Sequence, residues 1–488
     1  MAIKSKIADL FAAFETCTTQ VSSRSVLDNS FRLDAGVYSP ASMEACALVL
    51  RGGQEFSTVD DIAEVFGFGP FKRTYVESKK YSIPLLSSAE ITEINPSPKF
   101  MCTVNLSDWE KYQVCRGWLL VSCSGTIGNV ALVSQKWDHW GVSQDAVRVI
   151  PKPGYAGLIY SILRLPWGKD QLLRFKSGSV IDHIYPDDVR RIRIPLPESQ
   201  VIDKADTLIS QSLTRREESD GLINSANGLI LHLCGLDCLT AEDAAWLDPE
   251  RQVESMLVQA SQVGRVNGDG SGFRLDAHFY NPTAQLTVAN IKKCRSEVKT
   301  VGQVAERVFF CNRFTRTFVD KGHGIPYLAG KNIVQVRPTD LAYLSRSQTA
   351  DLGQYRLEKG WILMTCSGTI GRTCLVWHNF EEYVATHDLI RVVPNQDALD
   401  GGYLYAFLSS DYGKAQVLRF KHGSVVDHVT PEQVRRVLIP CPSRKDQQAI
   451  GDKVRSAYEK RAEAIRLEDE AQALLMNELT KAQGAKGV

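Results

Sequence analysis

An internal duplication constrains the fold of this chain more than any other feature. Residues 117–133 read GWLLVSCSGTIGNVALV, and residues 360–376 read GWILMTCSGTIGRTCLV. In both copies an apolar run enters a Cys-Ser-Gly-Thr-Ile-Gly segment and a second apolar run leaves it. Self-similarity of this kind is the signature of a repeated structural unit. The sequence therefore predicts two similar domains.

The duplication extends well beyond these two segments. Four further motifs occur in the same order in each half: Arg-Leu-Asp-Ala at 32–35 and 274–277, Phe-x-Arg-Thr-aromatic-Val at 71–76 and 314–319, Ile-Pro-x-Leu at 83–86 and 325–328, and Leu-Arg-Phe-Lys at 173–176 and 418–421. Both halves then keep Gly-Ser-Val, Asp-His, Val-Arg-Arg and Ile-Pro in step. We therefore expect a first domain at residues 31–197 and a second domain at residues 273–442.

A different pattern follows each domain. Residues 198–234 and 443–488 carry apolar side chains mostly every three or four positions in a polar, charged background, which is typical of a long amphipathic helix. A helix of about 35 residues extends roughly 50 Å. Since a single apolar stripe must be covered, we expect the two helices to pack against each other as an antiparallel pair.

Within each domain the pattern is mixed. Short β-branched runs are interrupted by Gly, Pro, Asn and Ser, and a helical stretch at about 155–173 lies between them. Because strands and helices do not alternate regularly, the expected fold class is α+β, with two mixed domains and a pseudo-two-fold repeat. The remaining parts are an N-terminal helical segment at 1–30, with its helix at about 5–18, and a helical, Gly-rich linker at 235–272.

The composition narrows the class of protein. The 488 residues are 44% apolar, which can supply the cores of several domains. We expect neither a membrane span nor a signal peptide, because there is no 18-residue apolar run and no cationic leader. The twelve cysteines form no CxxC pair, which suits a reducing cytoplasm. His232, Cys234 and Cys238 match no common zinc spacing, so neither a metal nor a cofactor is expected.

The repeated motifs do not form a recognisable active site. The Ser-Gly-Thr-Ile-Gly segment lacks the order of a serine-nucleophile motif and of a phosphate-binding loop. It is either a structural hairpin turn or a turn that also contacts a ligand. His183 and His428 are either hydrogen-bonded core histidines or ligand contacts. No amino-methyltransferase, Walker or nuclease motif is present, so a binding protein is favoured over an enzyme.

The charge pattern is compatible with a nucleic-acid partner. The net charge is only +1, but residues 164–197 hold seven basic and four acidic side chains. Residues 411–445 hold seven basic and three acidic ones. Local basic patches on a neutral chain allow DNA binding without demonstrating it.

Duplicated and in this order, the motifs resemble the specificity subunit of type I restriction-modification systems. The resemblance implies two target-recognition domains that read the halves of a bipartite site in double-stranded DNA. It also implies a non-catalytic subunit whose long helices set the spacing and bind partners. These would be DNA adenine methyltransferase subunits, two being expected, with a restriction or translocase subunit as a further partner in phage defence. Two alternatives stay open: an enzyme acting through the Asp-His segments, and a scaffold protein that does not bind DNA.

The candidate DNA-binding residues come from the repeated segments. They are Lys72, Arg73, Tyr75, Ser124, Thr126, Lys176, Ser179 and His183 in the first domain, and Arg316, Phe318, Ser367, Thr369, Lys421, Ser424 and His428 in the second. Basic residues shared by both domains suit phosphates, which position a protein without specifying a sequence. The differing stretches 99–113 and 335–351 are the candidates for base-reading loops.

Overall fold

The computed structural model describes residues 21–28, 32, 35–39, 43, 55–76, 80–104, 106–178, 181–240, 242–244, 247, 257, 276–349, 352–378, 380–423 and 425–484. The helix predicted at 5–18, the Gly-rich end of the linker, and the candidates Ser179 and Ser424 lie outside these residues. Within the described ranges, no helix combines the length and apolar character that crossing a bilayer requires.

The first domain is built on two four-stranded sheets and a two-stranded ribbon. Its strands are β1 (Phe56–Thr58), β2 (Ala63–Phe66), β3 (Tyr75–Val76), β4 (Ser82–Leu86), β5 (Lys99–Cys102), β6 (Leu119–Ser122), β7 (Val130–Leu132), β8 (Gly141–Val142), β9 (Ala146–Pro151) and β10 (Arg193–Pro195). Its helices, with a short one before the domain, are α1 (Ser23–Asp28), α2 (Val59–Ile62), α3 (Ala156–Arg164), α4 (Pro166–Leu173) and α5 (Pro186–Arg190). The core sheet has the order β2-β9-β6-β7, the outer sheet β3-β5-β4-β8, and the ribbon β1-β10. Only the β4–β8 pair among these is parallel.

A long helix, α6 (Ser199–Cys234), follows the first domain, and the second domain then repeats the first. Its helices are α7 (Pro282–Lys293), α8 (Val301–Val304), α9 (Gly401–Ser409), α10 (Asp411–Leu418) and α11 (Pro431–Arg435). Its strands are β11 (Glu297–Thr300), β12 (Ala305–Phe309), β13 (Phe318–Val319), β14 (Gly324–Leu328), β15 (Ala342–Ser345), β16 (Ile362–Thr365), β17 (Thr373–Leu375), β18 (Val384–Ala385), β19 (Leu389–Pro394) and β20 (Leu438–Cys441). The strand orders β12-β19-β16-β17, β13-β15-β14-β18 and β11-β20 match those of the first domain. The α+β repeat expected from the sequence is confirmed.

The two domains break the same helix by different means. In the first domain, Pro166 opens α4 at the first helical position, where its missing N–H costs nothing, and it cannot continue α3. In the second domain, the side chain of Ser410 caps α10 by accepting a hydrogen bond from the backbone N–H of Gly413. The stretch predicted at about 155–173 is thus two short helices.

The chain ends in a second long helix, α12 (Arg444–Gly484), which packs against α6. Lys204 of α6 pairs with Glu470 of α12, whereas Arg215, further along α6, pairs with Glu463, which comes earlier in α12. The order of these ion pairs makes the helices antiparallel, as predicted. At 1.5 Å per residue, 36 and 41 residues extend about 54 and 61 Å.

Each long helix belongs to the hydrophobic cores of both domains. The first half of α6 buries Ala205, Ile209 and Leu213 in the core of the first domain, and its second half buries residues such as Ile230 in the core of the second. The helix α12 does the reverse, with Val454 in the second core and Ala471 and Leu475 in the first. The helix pair is therefore a shared structural element and not a detached spacer.

The two domains also contact each other through equivalent residues. Glu93 and Gln335 occupy matching positions at an offset of 242 and face each other in an antiparallel bridge. Ile94 and Val336, also equivalent, each donate a backbone N–H to the opposite domain, at 2.8 and 2.9 Å. Because each domain makes the same bond to the other, a pseudo-two-fold axis passes through this contact. We call it the interdomain bridge.

A buried carboxylate joins both domains to both long helices. Glu468 of α12 is 1% exposed. It contacts three guanidinium groups, those of Arg164 in α3 (3.3 Å), Arg216 in α6, and Arg337 in the second domain (3.9 Å). Burial by itself would raise the pKa of Glu468, but the three cations outweigh burial and lower it. We call these four side chains the junction cluster.

Candidate nucleic-acid interface

The Ser-Gly-Thr-Ile-Gly segment of the first domain forms the tight turn between β6 and β7. Gly125 and Gly128 have φ angles of 69° and 81°, a backbone conformation that residues with a Cβ atom rarely adopt. The hydroxyl of Ser122 donates to the carbonyl of Thr126 (2.5 Å) and accepts from the N–H of Asn129 (2.9 Å). The prediction of a hairpin turn is confirmed, and Ser122, which sequence reasoning did not single out, closes it.

The second domain repeats this turn with a different closing residue. Gly368 and Gly371 have φ angles of 67° and 82°. The hydroxyl of Thr365 donates to the carbonyl of Thr369 (2.6 Å) and accepts from the N–H of Arg372 (3.0 Å). At the tips of the two turns Thr126 and Thr369 are exposed, while Ser124 and Ser367 are half-buried.

The structure brings the turn and the Asp-His segment together. In the first domain Ser124 pairs with His183, which also pairs with Ser177. In the second domain Ser367 pairs with His428 in the same way. His183 is half-buried and His428 is exposed, so neither is a core histidine. Two motifs whose paired residues lie about 60 positions apart in the sequence thus form one surface in each domain.

The two lysines of these segments differ in accessibility. The ammonium of Lys176 pairs with Asp182 at 3.1 Å and the lysine side chain is 48% exposed. Lys421 makes the equivalent pair with Asp427 at 3.0 Å, but it is 3% exposed. The selection of Lys421 as a DNA-binding residue is therefore corrected, because a buried ammonium held by a carboxylate does not reach a phosphate.

The Arg-Thr-aromatic motif lies on the outer sheet of each domain. In the first domain Lys72 and Tyr75 are exposed, and the half-buried Arg73 lies over the ring of Phe71 at 5.6 Å. The ammonium of Lys99 on β5 lies 5.8 Å from the centre of the Tyr75 ring. Cations and an exposed aromatic ring on one strand pair are suited to phosphates and to the faces of bases.

In the second domain Phe318 opens the equivalent strand β13, and Arg316 lies two residues before it. Both are exposed, and Phe318 is 53% accessible. The guanidinium of Arg316 donates to the hydroxyl of Tyr327 at 3.0 Å, which orients it at the surface. The structure thus places an arginine beside an aromatic ring two residues before the equivalent strands β3 and β13.

Only part of the candidate base-reading stretch at 335–351 is available to contact DNA. Gln335 lies in the interdomain bridge, Arg337 in the junction cluster, and Asp340 pairs with Lys331 at 3.6 Å. These contacts occupy the beginning of the stretch. The candidate region therefore narrows to residues after Asp340, which include β15.

The cysteine of each Cys-Ser-Gly-Thr-Ile-Gly segment is buried and unreactive. Burial, assisted by Asp145, raises the pKa of the Cys123 thiol to about 11. Burial and Asp388 raise the pKa of the Cys366 thiol to about 12. Since only the thiolate is a nucleophile, these cysteines pack as small apolar side chains.

Two buried arginines were missed by sequence reasoning. Arg148 on β9 and Arg391 on β19 are fully buried. The guanidinium of each donates to three backbone carbonyls; for Arg148 these belong to Val142, Ser143 and Ala146. Burial lowers the pKa of Arg148 to about 10. The arginines tie the outer sheet to the core sheet, and the only signal in the sequence was a cation inside an apolar strand.

Comparison with known proteins identifies the family. A family model described as the type I restriction modification DNA specificity domain matches residues 52–223 and again residues 295–468. The two matches cover well over half of the 488 residues. The chain belongs to this family. It is a type I specificity subunit, the non-catalytic component that directs a methyltransferase and restriction complex to its DNA target. DNA and the methyltransferase and restriction subunits are its partners.

Solved structures of similar proteins include two specificity subunits. The HsdS subunit from Thermoanaerobacter tengcongensis is 15% identical, with 88% of this chain and 97% of that chain covered and a TM-score of 0.28. The type I restriction-modification S subunit from M. genitalium is 14% identical, with 88% and 96% covered and a TM-score of 0.29. No curated protein sequence matched the chain. With TM-scores this low, the assignment rests on the duplicated family match.

Proposed function

We propose that residues 31–197 and 273–442 are target-recognition domains, each of which reads one half of a bipartite site in double-stranded DNA. The observation that carries this proposal is the pseudo-two-fold axis through the interdomain bridge at Glu93 and Gln335. An axis of this kind presents two equivalent surfaces, and B-DNA offers equivalent half-sites about one helical turn, or ~34 Å, apart. The shared helix pair and the bridge hold the two surfaces at a fixed distance.

Within each domain we assign positioning contacts to repeated side chains. Arg73 and Arg316 contact phosphates, because each is oriented beside an aromatic ring on an outer sheet. The remaining proposed contacts are Lys72, Tyr75, Ser124, Thr126, Lys176, Ser179, His183, Phe318, Ser367, Thr369, Ser424 and His428. Lys421 is left out because it is buried. Bases are read by side chains of the stretches that differ between the domains.

The helix pair also suggests the stoichiometry of the complex. An element with a pseudo-two-fold axis offers the same docking surface twice, so we propose two DNA adenine methyltransferase subunits per specificity subunit. The polar faces of α6 and α12 that the two cores leave exposed supply these surfaces. A restriction or translocase subunit joins the same assembly, which acts on DNA in the cytoplasm.

Alanine substitution of the paired arginines tests the proposal. In the full chain assembled with its methyltransferase subunits, Arg73→Ala and Arg316→Ala each remove one charged hydrogen bond to a phosphate. Affinity for DNA should fall by about tenfold for all sequences. The slope of log affinity against log salt should become shallower by about one. Fluorescence anisotropy over a salt series measures both quantities.

Lys292→Ala is the matched control. This lysine is exposed in the last turn of α7 and belongs neither to the proposed DNA contacts nor to the helix pair, so its removal should leave the affinity and the salt slope unchanged. A binding affinity that does not depend on salt would contradict DNA recognition by this chain. If either arginine variant instead selected a different sequence from a random DNA pool, that arginine reads a base, and the assignment to a phosphate would be wrong.

A further inference from the structure

A group of metal-ligating side chains lies in the first domain, directly after the candidate base-reading stretch 99–113. The thiol of Cys115, a carboxylate oxygen of Asp138 and an imidazole nitrogen of His139 all lie within 4.8 Å of one another. Cys115 and Asp138 are half-buried and His139 is exposed. Among the described residues, no other three side chains of these types bring their ligand atoms this close together. No local spacing pointed to this group, because Cys115 is 23 residues from Asp138.

The two segments that carry these side chains are fixed against each other by their backbones. The N–H of Val114 donates to the carbonyl of Trp140 at 3.0 Å, and the N–H of His139 donates to the carbonyl of Val114 at 2.8 Å. The N–H of Arg116 donates to Oδ1 of Asp138 at 3.0 Å. The other oxygen, Oδ2, faces Nε2 of His139 at 3.5 Å. Oδ2 also accepts a long hydrogen bond from the side-chain amide of Gln135 at 3.4 Å. Both oxygens of Asp138 are thus held by neighbouring donors, as in second-shell support of a metal ligand.

The second domain has the same backbone framework with different side chains. Leu357 and Glu382 make the matching backbone hydrogen bonds, at 2.9 and 3.0 Å. Both His139 and Glu382 hold the unusual left-handed conformation, with φ angles of 62° and 67°. In the second domain Glu358 stands at the position of Cys115. The backbone conformation of this turn therefore does not depend on the three ligand side chains of the first domain.

A cation occupies this framework in the second domain. Arg356 pairs with Glu382 across the turn. The first domain has Gln113 at the position of Arg356, and its neutral amide donates to the backbone carbonyl of His139 instead. In the first domain, therefore, an anionic carboxylate faces an imidazole and a thiol with no arginine at that position.

We propose that Cys115, Asp138 and His139 bind a zinc ion, which takes the place that Arg356 fills in the second domain. Thiolate, imidazole and carboxylate are the ligands that Zn²⁺ prefers, and a water completes the tetrahedron. Ligand atoms about 2.0–2.3 Å from one ion lie about 3.3–3.8 Å apart. The ligand atoms now lie up to 4.8 Å from one another, so the pairs that are furthest apart must approach by about 1 Å. A rotation of the exposed His139 side chain can provide this movement. On binding, the Cys115 sulfur forms a bond to the metal and releases its proton to solvent.

The contacts of the neighbouring residues indicate a structural role at the first long helix. Arg116, next to Cys115, forms an ion pair with Glu217 of α6 at 2.8 Å. The backbone N–H of Gln135, close to Asp138, donates to the same carboxylate at 2.8 Å. A metal joining the two segments would fix both contacts to the helix. The inference does not rest on the proposed function, because it concerns metal affinity and attachment of the first domain to α6.

Titration of the metal-free full chain with Co²⁺ and Zn²⁺ tests the assignment. Cobalt bound to a thiolate should give a sulfur-to-metal charge-transfer band in the near ultraviolet that saturates at one ion per chain, and zinc should abolish the band. Cys115→Ser should remove the band. His139→Ala should weaken zinc binding by at least about tenfold, which is the size of loss seen even for outer-shell partners. Zinc should also raise the unfolding temperature of the wild type but not of Cys115→Ser.

Cys102→Ser and Cys238→Ser are the controls, since one cysteine is half-buried and the other exposed, and neither belongs to the group. Both should keep the band. Circular dichroism checks that Cys115→Ser is folded, and His139→Ala changes an exposed side chain, so its result stands independently. Absence of a saturable band in the wild type would overturn the proposal. So would a band that survives in Cys115→Ser, or zinc binding that is unchanged in His139→Ala.

Discussion

Replacing Glu468 by glutamine should destabilise the whole protein, because this residue is the only carboxylate placed centrally in the junction cluster described above. Three guanidinium groups approach its oxygens, and the glutamine keeps its shape but not its charge. Breaking a buried ion pair by neutralising one partner costs about 3–5 kcal/mol. Asp469 supplies a second partner to Arg337 at 2.6 Å, so we expect the lower end of this range, about 3 kcal/mol. Urea unfolding followed by circular dichroism measures the difference.

Glu470→Gln is the control on the same helix. Glu470 is 55% exposed and lies 3.7 Å from Lys204, and solvent-exposed ion pairs contribute only about 0–1 kcal/mol. A loss below about 1 kcal/mol for Glu468→Gln would refute the idea that the junction cluster holds the domains on the helices.

The same variant has a predicted pH dependence. In the folded protein, burial raises the pKa of Glu468 less than the three arginines lower it, so the net pKa is below the ordinary value. A group with a lowered folded pKa contributes stability that is present above its unfolded pKa, about 4.3 for glutamate, and lost as the pH falls through the folded pKa. The stability difference between wild type and Glu468→Gln should be full at neutral pH and shrink below about pH 4. A difference that stays constant into acid would contradict the charge argument.

Two further predictions follow from buried and helical contacts. Arg148→Met should lower the free energy of unfolding by at least about 2 kcal/mol, because three buried carbonyls lose their hydrogen-bond donor. Urea unfolding measures the loss. An unchanged free energy of unfolding would show that water replaces the guanidinium. A heptad inserted into α6 between Asp206 and Leu222 misaligns the pairing of Arg215 with Glu463, so α12 must gain a matching heptad. The doubled insertion lengthens the pair by about 10 Å, and the gap between selected half-sites should grow by about three base pairs at ~3.4 Å each; an unchanged gap would show that the helices do not set the spacing.

The features that sequence reasoning predicted correctly are those that leave a recognisable pattern in the sequence. The duplication, the hairpin around Gly125 and the two long helices each leave a pattern within a short window, as repeats, glycines or a helical stripe. The antiparallel pairing followed because two single stripes can cover each other. Local chemistry was enough for these elements.

The features that it missed depend on contacts between distant residues. Arg148 sits in an apolar strand, and nothing local distinguishes a buried arginine from one that points to solvent. Lys176 and Lys421 both follow Leu-Arg-Phe in the sequence, yet one is 48% exposed and the other 3%. The pairing of Glu93 with Gln335 joins two domains and has no periodic signature. Tertiary packing decides all three.

Under the proposed function, the differences between the two copies allow one symmetric frame to serve an asymmetric DNA site. The frame is repeated, since Arg148 and Arg391 make equivalent sets of bonds. The contacts around the axis are not: Arg372 pairs with Glu93 at 2.7 Å, whereas the first domain has Asn129 at the position of Arg372. A perfectly symmetric subunit would hold two identical surfaces and favour a palindrome. With the buried scaffold repeated and the side chains around it changed, each domain can keep the same distance and orientation on DNA while recognising a different half-site.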